Sequence, residues 1–242
     1  MSRSDARILK AAELDLSFEA APWAFAQSRA EEIATHWARR KATLPKMFDG
    51  RVLLLGRHHF AQRNDGATIL RGVYFATDYK AFLAWRDFGF PDRSVCNCFS
   101  MAALQSSDGA FLLGEMAAHT ANAGSVYFPA GTPDPSDIVG ARVDLTASAR
   151  RELREETGIS ADEVVEAAGW TIVHAPPRIA CMKIMRLKET AQRAKARIDA
   201  FLAEDPGAEL RRMHIVRRRQ DLDAINSPPF VADFIADQVR DG

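Results

Sequence analysis

The sequence predicts an α+β protein, read as an N-terminal accessory α+β region over residues 1–92 and a second region over 93–242. Three observations carry that reading. Short apolar or β-branched runs bounded by turn residues alternate with segments whose apolar residues recur every three to four positions, so strands and helices are interspersed. The stretch FGFPDRS (Phe88–Ser94) combines Gly and Pro and breaks the chain into two blocks. Of the 242 residues, 47% are hydrophobic and 26% charged, a globular balance that argues against disorder, collagen-like repeats and coiled coil.

In chain order, the first helix is expected from Pro22 to about Arg40. Trp23, Ala26, Ala30, Ile33 and Trp37 form its apolar stripe, and Pro22 suits the first helical position. Arg51–Leu55 and Thr68–Phe75 read as strands. Thr77 is expected to cap a short helix ending near Phe88. Beyond the Gly/Pro break, Val95–Gln105 and Ala110–Met116 are strands of a hairpin turned by Ser106–Gly109. A loop and the brief apolar run Val126–Phe128 lead to Pro129-Ala130-Gly131, then to a polar loop with Pro133, Pro135 and Gly140. A helix starts near Leu145 and stops at Gly158, which supplies a left-handed C-terminal cap. Val164–Val173 and Ile179–Leu187 have strand character, Glu189–Leu202 is helical, and Glu209–Val216 alternates as a strand. Ser227-Pro228 opens a last helix whose apolar side is Val231, Phe234, Ile235 and Val239.

Charge and special residues exclude several functions. Lys plus Arg equals Asp plus Glu at 32 each, so no whole-protein field gathers nucleic acid or anionic membrane. Phosphate chemistry must therefore come from a local arrangement. The N-terminal run MSRSDARILKAAELDL lacks an apolar secretory core, and no apolar stretch is long enough to span a membrane, so the expected location is the cytoplasm. Cys96, Cys98 and Cys181 are sparse and odd in number. Cys96 and Cys98 share one face of a strand and are read as small core residues. His58 and His59 diverge from a strand and are read as surface or packing residues.

The chemistry-bearing segment is Arg151–Ile159. Glu152, Glu155 and Glu156 stand at i, i+3 and i+4, so three carboxylates share one helix face. Their mutual repulsion calls for a positive partner, and hard divalent cations take such oxygen ligands together with substrate phosphates. Arg151, four residues before Glu155, can hold that carboxylate. A solvated helix with ordinary ion pairs is the alternative. Arg151, Glu152, Leu153, Glu155, Glu156, Gly158 and Ile159 follow Gly131 in order, a coincidence with odds on the order of 10⁻⁵ at average residue usage.

These residues resemble the Nudix hydrolase signature, G-x5-E-x7-R-E-U-x-E-E-x-G-U with U aliphatic, and the likeness runs from about Ser94 to the C-terminus. The second half is met in full. Gly131 matches the leading glycine, but Arg151 follows it by 20 positions rather than 14, so the loop is about six residues longer. Counting forward places the outer carboxylate at Asp137; counting back places it at Val143, beside Asp144. It is left unassigned. The resemblance implies an α/β/α sandwich with a mixed sheet that cleaves a pyrophosphate joining a nucleoside to another group. It implies Mg²⁺ or Mn²⁺ on Glu152, Glu156 and Glu155 with the main-chain carbonyl of Ala130, and Arg151 orienting the glutamates. The general base in many relatives is a late-loop glutamate. Glu209 is preferred here, with Glu204 and Asp205 beside it and Glu115 as an outside candidate.

The same resemblance bears on substrate. Pro176 and Pro177 fall 17 and 18 positions past Ile159 and no Tyr follows Tyr127, which favours ADP-ribose or a nucleoside diphosphate sugar. A non-catalytic nucleotide-sugar-binding module and a triphosphate house-cleaning enzyme are the alternatives. Arg211, Arg212, Arg217, Arg218 and Arg219 form either a solvated strand edge or a phosphate contact. Trp23, Trp37, Trp85 and Trp170 read as packing residues before base-stacking ones. The N-terminal block is expected to shape the substrate pocket or to form a homodimer interface.

Overall fold

The computed structural model describes residues 6–45 and 47–239. The chain runs β1 (Arg7–Ala11), β2 (Glu13–Phe18), α1 (Ala24–Ser28), α2 (Ala30–Thr43), β3 (Arg51–Gln62), β4 (Thr68–Asp78), α3 (Tyr79–Asp87), β5 (Asn97–Gln105), β6 (Phe111–Met116), β7 (Val126–Tyr127), β8 (Ile138–Val139), β9 (Arg142–Val143) and α4 (Leu145–Thr157). It continues through β10 (Val164–Glu166), β11 (Trp170–Ala175), β12 (Arg178–Leu187), α5 (Ala191–Glu204), β13 (Leu210–Val216) and α6 (Pro229–Gln238).

Eight strands form a mixed sheet in the order β1-β11-β12-β5-β6-β13, with β10 beside β12 and β7 beside β6. β12 and β5 are parallel; the other pairs are antiparallel. The burial of alternate residues explains its two covers. Leu112 and Met116 face α4 and α5, whose stripe Ala149, Leu153, Ala194, Ile198 and Leu202 completes one core. Phe111 and Leu113 face the opposite way, against Val231, Phe234 and Ile235 of α6. The result is the expected α/β/α sandwich.

The second sheet, β3-β4-β2-β9-β8, lies over the α4 side of the first. Its inner face meets the large sheet in a shared core that includes Leu16, Leu55, Leu70 and Tyr74 from one side and Cys98, Ile172, Ile179 and Cys181 from the other. Its outer face packs under α1–α3 through Trp23, Phe25, Phe75, Phe82 and Trp85. The two sheets exchange chain segments. β1 extends the large sheet along β11, and the β8–β9 hairpin joins the small sheet where Ser17 pairs with Arg142.

Several elements differ from expectation. The expected first helix is two helices broken at Arg29; Pro22 precedes them, and Phe25, Ile33 and His36 are the residues they bury. Thr77 ends β4 rather than capping α3, whose N-cap is Asp78. β3 continues seven residues past Leu55 through a bulge into a polar half. Val164–Val173 is two strands, parted by a turn in which Gly169 takes a φ of 66°. Cys96 and Cys98 are buried together in the shared core, as their spacing predicts. Among the described residues no helix is long and apolar enough to cross a membrane.

Candidate active site

The site is built on α4. Asp144 caps its first turn, accepting from the Thr146 and Ala147 amides at 2.9 and 3.0 Å, an interaction type that contributes about 1 kcal/mol. Gly158, with φ 71°, ends it. Leu145, Ala149 and Leu153 bury one stripe against β5. That docking turns Glu152 and Glu156 inward at 9% and 5% exposure. Glu155, one helical step away, leaves 59% of its side chain in solvent.

Arg151 is the hub. Its Nη1 donates to Glu152 Oε1 at 2.8 Å and to Glu155 Oε2 at 3.3 Å. Its Nη2 donates to both oxygens of Asp137 at 3.2 Å. Asp137, at 4% exposure, also accepts from Ser148 Oγ at 3.2 Å and the Asp134 amide at 3.0 Å. Of the two positions left open by the sequence count, Asp137 is the one that Arg151 engages. The added loop residues lie between Asp137 and Asp144 as the β8–β9 hairpin, and the Asp144 amide bonds the Asp137 carbonyl at 2.9 Å. The insertion is folded out onto the second sheet, so α4 enters as though it were absent.

Pro129, Ala130 and Gly131 pass directly against the helix. The Pro129 carbonyl accepts from the Ala102 amide at 2.9 Å, tying the loop to β5. A Cβ on Gly131 would stand 2.2 Å from Glu152 Oε1, so a side chain there would displace the Glu152 carboxylate. The Ala130 N–H faces the Glu156 carboxylate and favours its charged form. Glu156 Oε2 is buried without a hydrogen-bond partner.

Burial dominates the electrostatics. It lifts the Glu152 carboxyl to about 7, with Arg151 opposing and Glu155, Glu209 and Asp137 adding to the rise. Burial, then the Glu152 and Glu209 charges, holds Glu156 well above the usual glutamate range against the Ala130 N–H. Two desolvated, mutually repelling carboxylates with one orphaned oxygen fit a cation. Among the described residues no three His, Cys, Asp or Glu side chains form a closed metal cage. Glu155 is too exposed and Arg151 occupies part of the cluster. Glu152 and Glu156 offer the one or two carboxylates through which Mg²⁺ is usually held together with substrate phosphates.

Glu209 lies at the entrance to β13, exposed, with its charge felt at Glu152, Glu156, Tyr127 and Tyr79. Asp205, by contrast, is engaged locally, accepting from the Gly207 amide at 2.7 Å. Glu115 does not face the box. It alternates with Gly114 to the α6 side of the sheet, where Arg211, Arg212 and His214 bond it at 3.3, 2.7 and 2.9 Å. Arg217, Arg218 and Arg219 pair with Asp108, Asp221 and Asp223. All five late arginines therefore have acidic partners along an edge strand, which is the solvated-edge reading.

Residues that the sequence reading did not single out also reach the site. The Arg86 Nη1 of α3 donates to Asn122 Oδ1 at 3.2 Å, and Asn122 Nδ2 donates to the Tyr127 hydroxyl at 3.2 Å. Tyr127 feels the charges of Glu156, Glu209 and Arg86 together. The accessory region thereby reaches Tyr127, on the strand that leads into the Pro129–Gly131 loop. No local sequence signal marks Arg86, because its neighbours in space lie 36 and more residues away in sequence.

A helix carrying buried carboxylates and ended by glycine, with a glycine loop pressed onto it, sits on an α/β/α sandwich. The NUDIX domain family model matches residues 98–194. That part of the chain matches the pattern of a Nudix domain. Among solved structures, the chain is similar to a MutT protein from Methanosarcina mazei Go1, at 20% identity and a TM-score of 0.40, over 58% of this chain and 90% of that one. It is also similar to RenU, a Nudix hydrolase from M. smegmatis, at 15% identity and a TM-score of 0.35, over 72% and 88% of the two chains. No curated protein matches it.

Proposed function

We propose that this protein hydrolyses the pyrophosphate of a nucleoside diphosphate linked to a sugar or ribose, with ADP-ribose in that class, giving a nucleoside monophosphate and a sugar phosphate in the cytoplasm. The observation that carries the proposal is Arg151 joining Asp137, Glu152 and Glu155, beside a Glu156 whose inner oxygen has no partner. Pro176 and Pro177, in the two-residue turn between β11 and β12, and the lack of a later Tyr support the sugar-linked substrate.

Glu152, Glu156 and the Ala130 carbonyl, with Glu155 at the rim, would hold Mg²⁺ or Mn²⁺. The cation would neutralise the diphosphate and acidify a water. The chain's own residues do the rest. Arg151 fixes the Glu152 carboxylate, and the Ala130 N–H favours the charged form of Glu156. Glu209, free of a described ion pair, takes the proton from the attacking water. With Asp137 on Arg151, the altered loop length no longer favours a non-catalytic module.

The test is Glu156→Gln. Phosphate release across ADP-ribose and UDP-, GDP- and ADP-sugars, with Mg²⁺ or Mn²⁺, should fall at least about 100-fold with the circular dichroism spectrum unchanged. A variant that turns over its best substrate at the wild-type rate would overturn the assignment.

A further inference from the structure

Two cations flank the loop that carries Phe90. Arg86 comes from α3 of the accessory region and Arg178 from the first position of β12. Asp87 Oδ1 holds Arg86 Nε at 3.1 Å, and Asn122 takes Nη1. No partner for Nη2 stands among the described residues. Asp87 is itself braced by His36 Nε2 at 2.9 Å, so the guanidinium is set from α2 as well as α3. Arg178 packs its guanidinium 4.8 Å from the centre of the Phe90 ring, and among the described residues no carboxylate stands within ion-pair distance of it.

Phe90 is the one described non-glycine residue with positive φ, at 59°. Its ring also meets Trp85 edge-on at 4.7 Å. Backbone held in that region costs on the order of 1–3 kcal/mol and collects at ligand clamps. Asp92 fastens the same loop, accepting the Trp23 indole N–H at 2.8 Å and, through its carbonyl, the Trp85 indole N–H at 2.9 Å. The loop is thus tied down in a strained form that seats an aromatic ring under Arg178. Partial desolvation first, and the Arg86 charge second, hold the Arg178 guanidinium below its ordinary value. Arg178 lacks a carboxylate partner among the described residues, and Arg86 keeps Nη2 beyond its pairing with Asp87, so donors remain for an anion.

We propose that Arg86 and Arg178 form an anion subsite, spanning the accessory region and the Nudix domain, that binds a phosphate of the substrate beside the α4 carboxylates. This deepens the pyrophosphohydrolase reading and rests on it for the identity of the ligand. Fork-shaped guanidinium donors suit a phosphate's oxygens. The Arg86–Asn122–Tyr127 chain leads from the subsite toward the loop whose Gly131 lies against Glu152.

The experiment uses the full chain as wild type, Arg86→Met, Arg178→Met and a control, Arg39→Met, on the exposed side of α2. Inorganic pyrophosphate is titrated calorimetrically in EDTA, where no cation bridges it to the glutamates. Each subsite variant should bind it about 10-fold more weakly, with Arg39→Met like wild type. With a hydrolysed substrate and Mg²⁺, KM should rise by a similar factor while kcat stays within about twofold, and Arg86→Lys should recover part of the loss. Arg178 makes no described ion pair, so Arg178→Met keeps the test valid should Arg86→Met unfold. Pyrophosphate affinity that is absent in wild type, or equal in wild type and both variants, overturns the subsite even where hydrolysis proceeds. A wild type that binds pyrophosphate through these arginines yet hydrolyses no substrate leaves the subsite standing and overturns the function.

Discussion

Asp137 stands where counting forward from Gly131 puts the signature's outer glutamate, with one methylene fewer. The shorter side chain reaches Arg151 because the loop carrying it is drawn in by the Asp134–Asp137 capping interactions and by Ser148 Oγ. Removing a buried acceptor strands its donors. Arg151 retains some solvent, so Asp137→Ala should cost about 2 kcal/mol, at the low end for a broken buried pair, together with a roughly 10–100-fold loss of turnover as Arg151 ceases to orient Glu152. Urea unfolding and steady-state rates check both numbers; unchanged turnover would remove Asp137 from the positioning chain. The sequence names Arg151 and the three glutamates because they are local to one helix, where spacing alone sets the shared face. It leaves Asp137 undecided because counting along a chain cannot tell an insertion that displaces a residue from one that loops out between fixed ends.

The same contrast holds for elements. Helices α4, α5 and α6 and the β5–β6 hairpin are legible, since their apolar stripes and turn residues lie within a dozen positions. Strands β1 and β2 are short and half polar, and β1 finds its partner only where Arg7 meets His174, more than 160 residues on. No local pattern encodes such a pairing. The β6–β13 edge shows how an element can change a residue's meaning. Strand alternation turns Glu115 to the α6 side, where the His214 hydrogen bond first, and then Arg212, hold its carboxyl below the usual range of about 4.5 against burial. A depressed folded pKa means the unfolded chain binds the proton more tightly, so this stabilisation is complete above about 4.5 and fades as pH falls through the folded value. Wild type should therefore be more stable than Glu115→Gln at pH 7, with the gap closing toward pH 3. A stability gap that stays constant over that range in denaturant titrations would show that the ion pairs contribute nothing to the edge.

At the scale of the whole molecule, the accessory region and the Nudix domain share one core. Leu16, Leu55, Leu70 and Tyr74 are buried against Cys98, Ile172, Ile179 and Cys181, and the Tyr74 hydroxyl donates to the Cys98 carbonyl at 2.9 Å inside that core. β1 covers the β11 edge, and the small sheet anchors the β8–β9 hairpin that lets Asp137 reach Arg151. Removing residues 1–92 would uncover this apolar face and open a strand edge, both aggregation hazards. Four such side chains alone represent on the order of 6–12 kcal/mol of burial, comparable to the 5–15 kcal/mol that holds an ordinary domain together. The fragment 93–242 should therefore be insoluble or unfold without a cooperative transition, and it should lack pyrophosphate hydrolysis even with Mg²⁺. The full chain should melt in a single transition that Glu156→Gln leaves single. A soluble 93–242 fragment with a sharp melt and full turnover would show the shared core to be dispensable and would return the first ninety residues to the status of an appendage. The opposite result makes the accessory region a structural part of the catalytic unit, because the geometry around Arg151 then depends on strands that only it supplies.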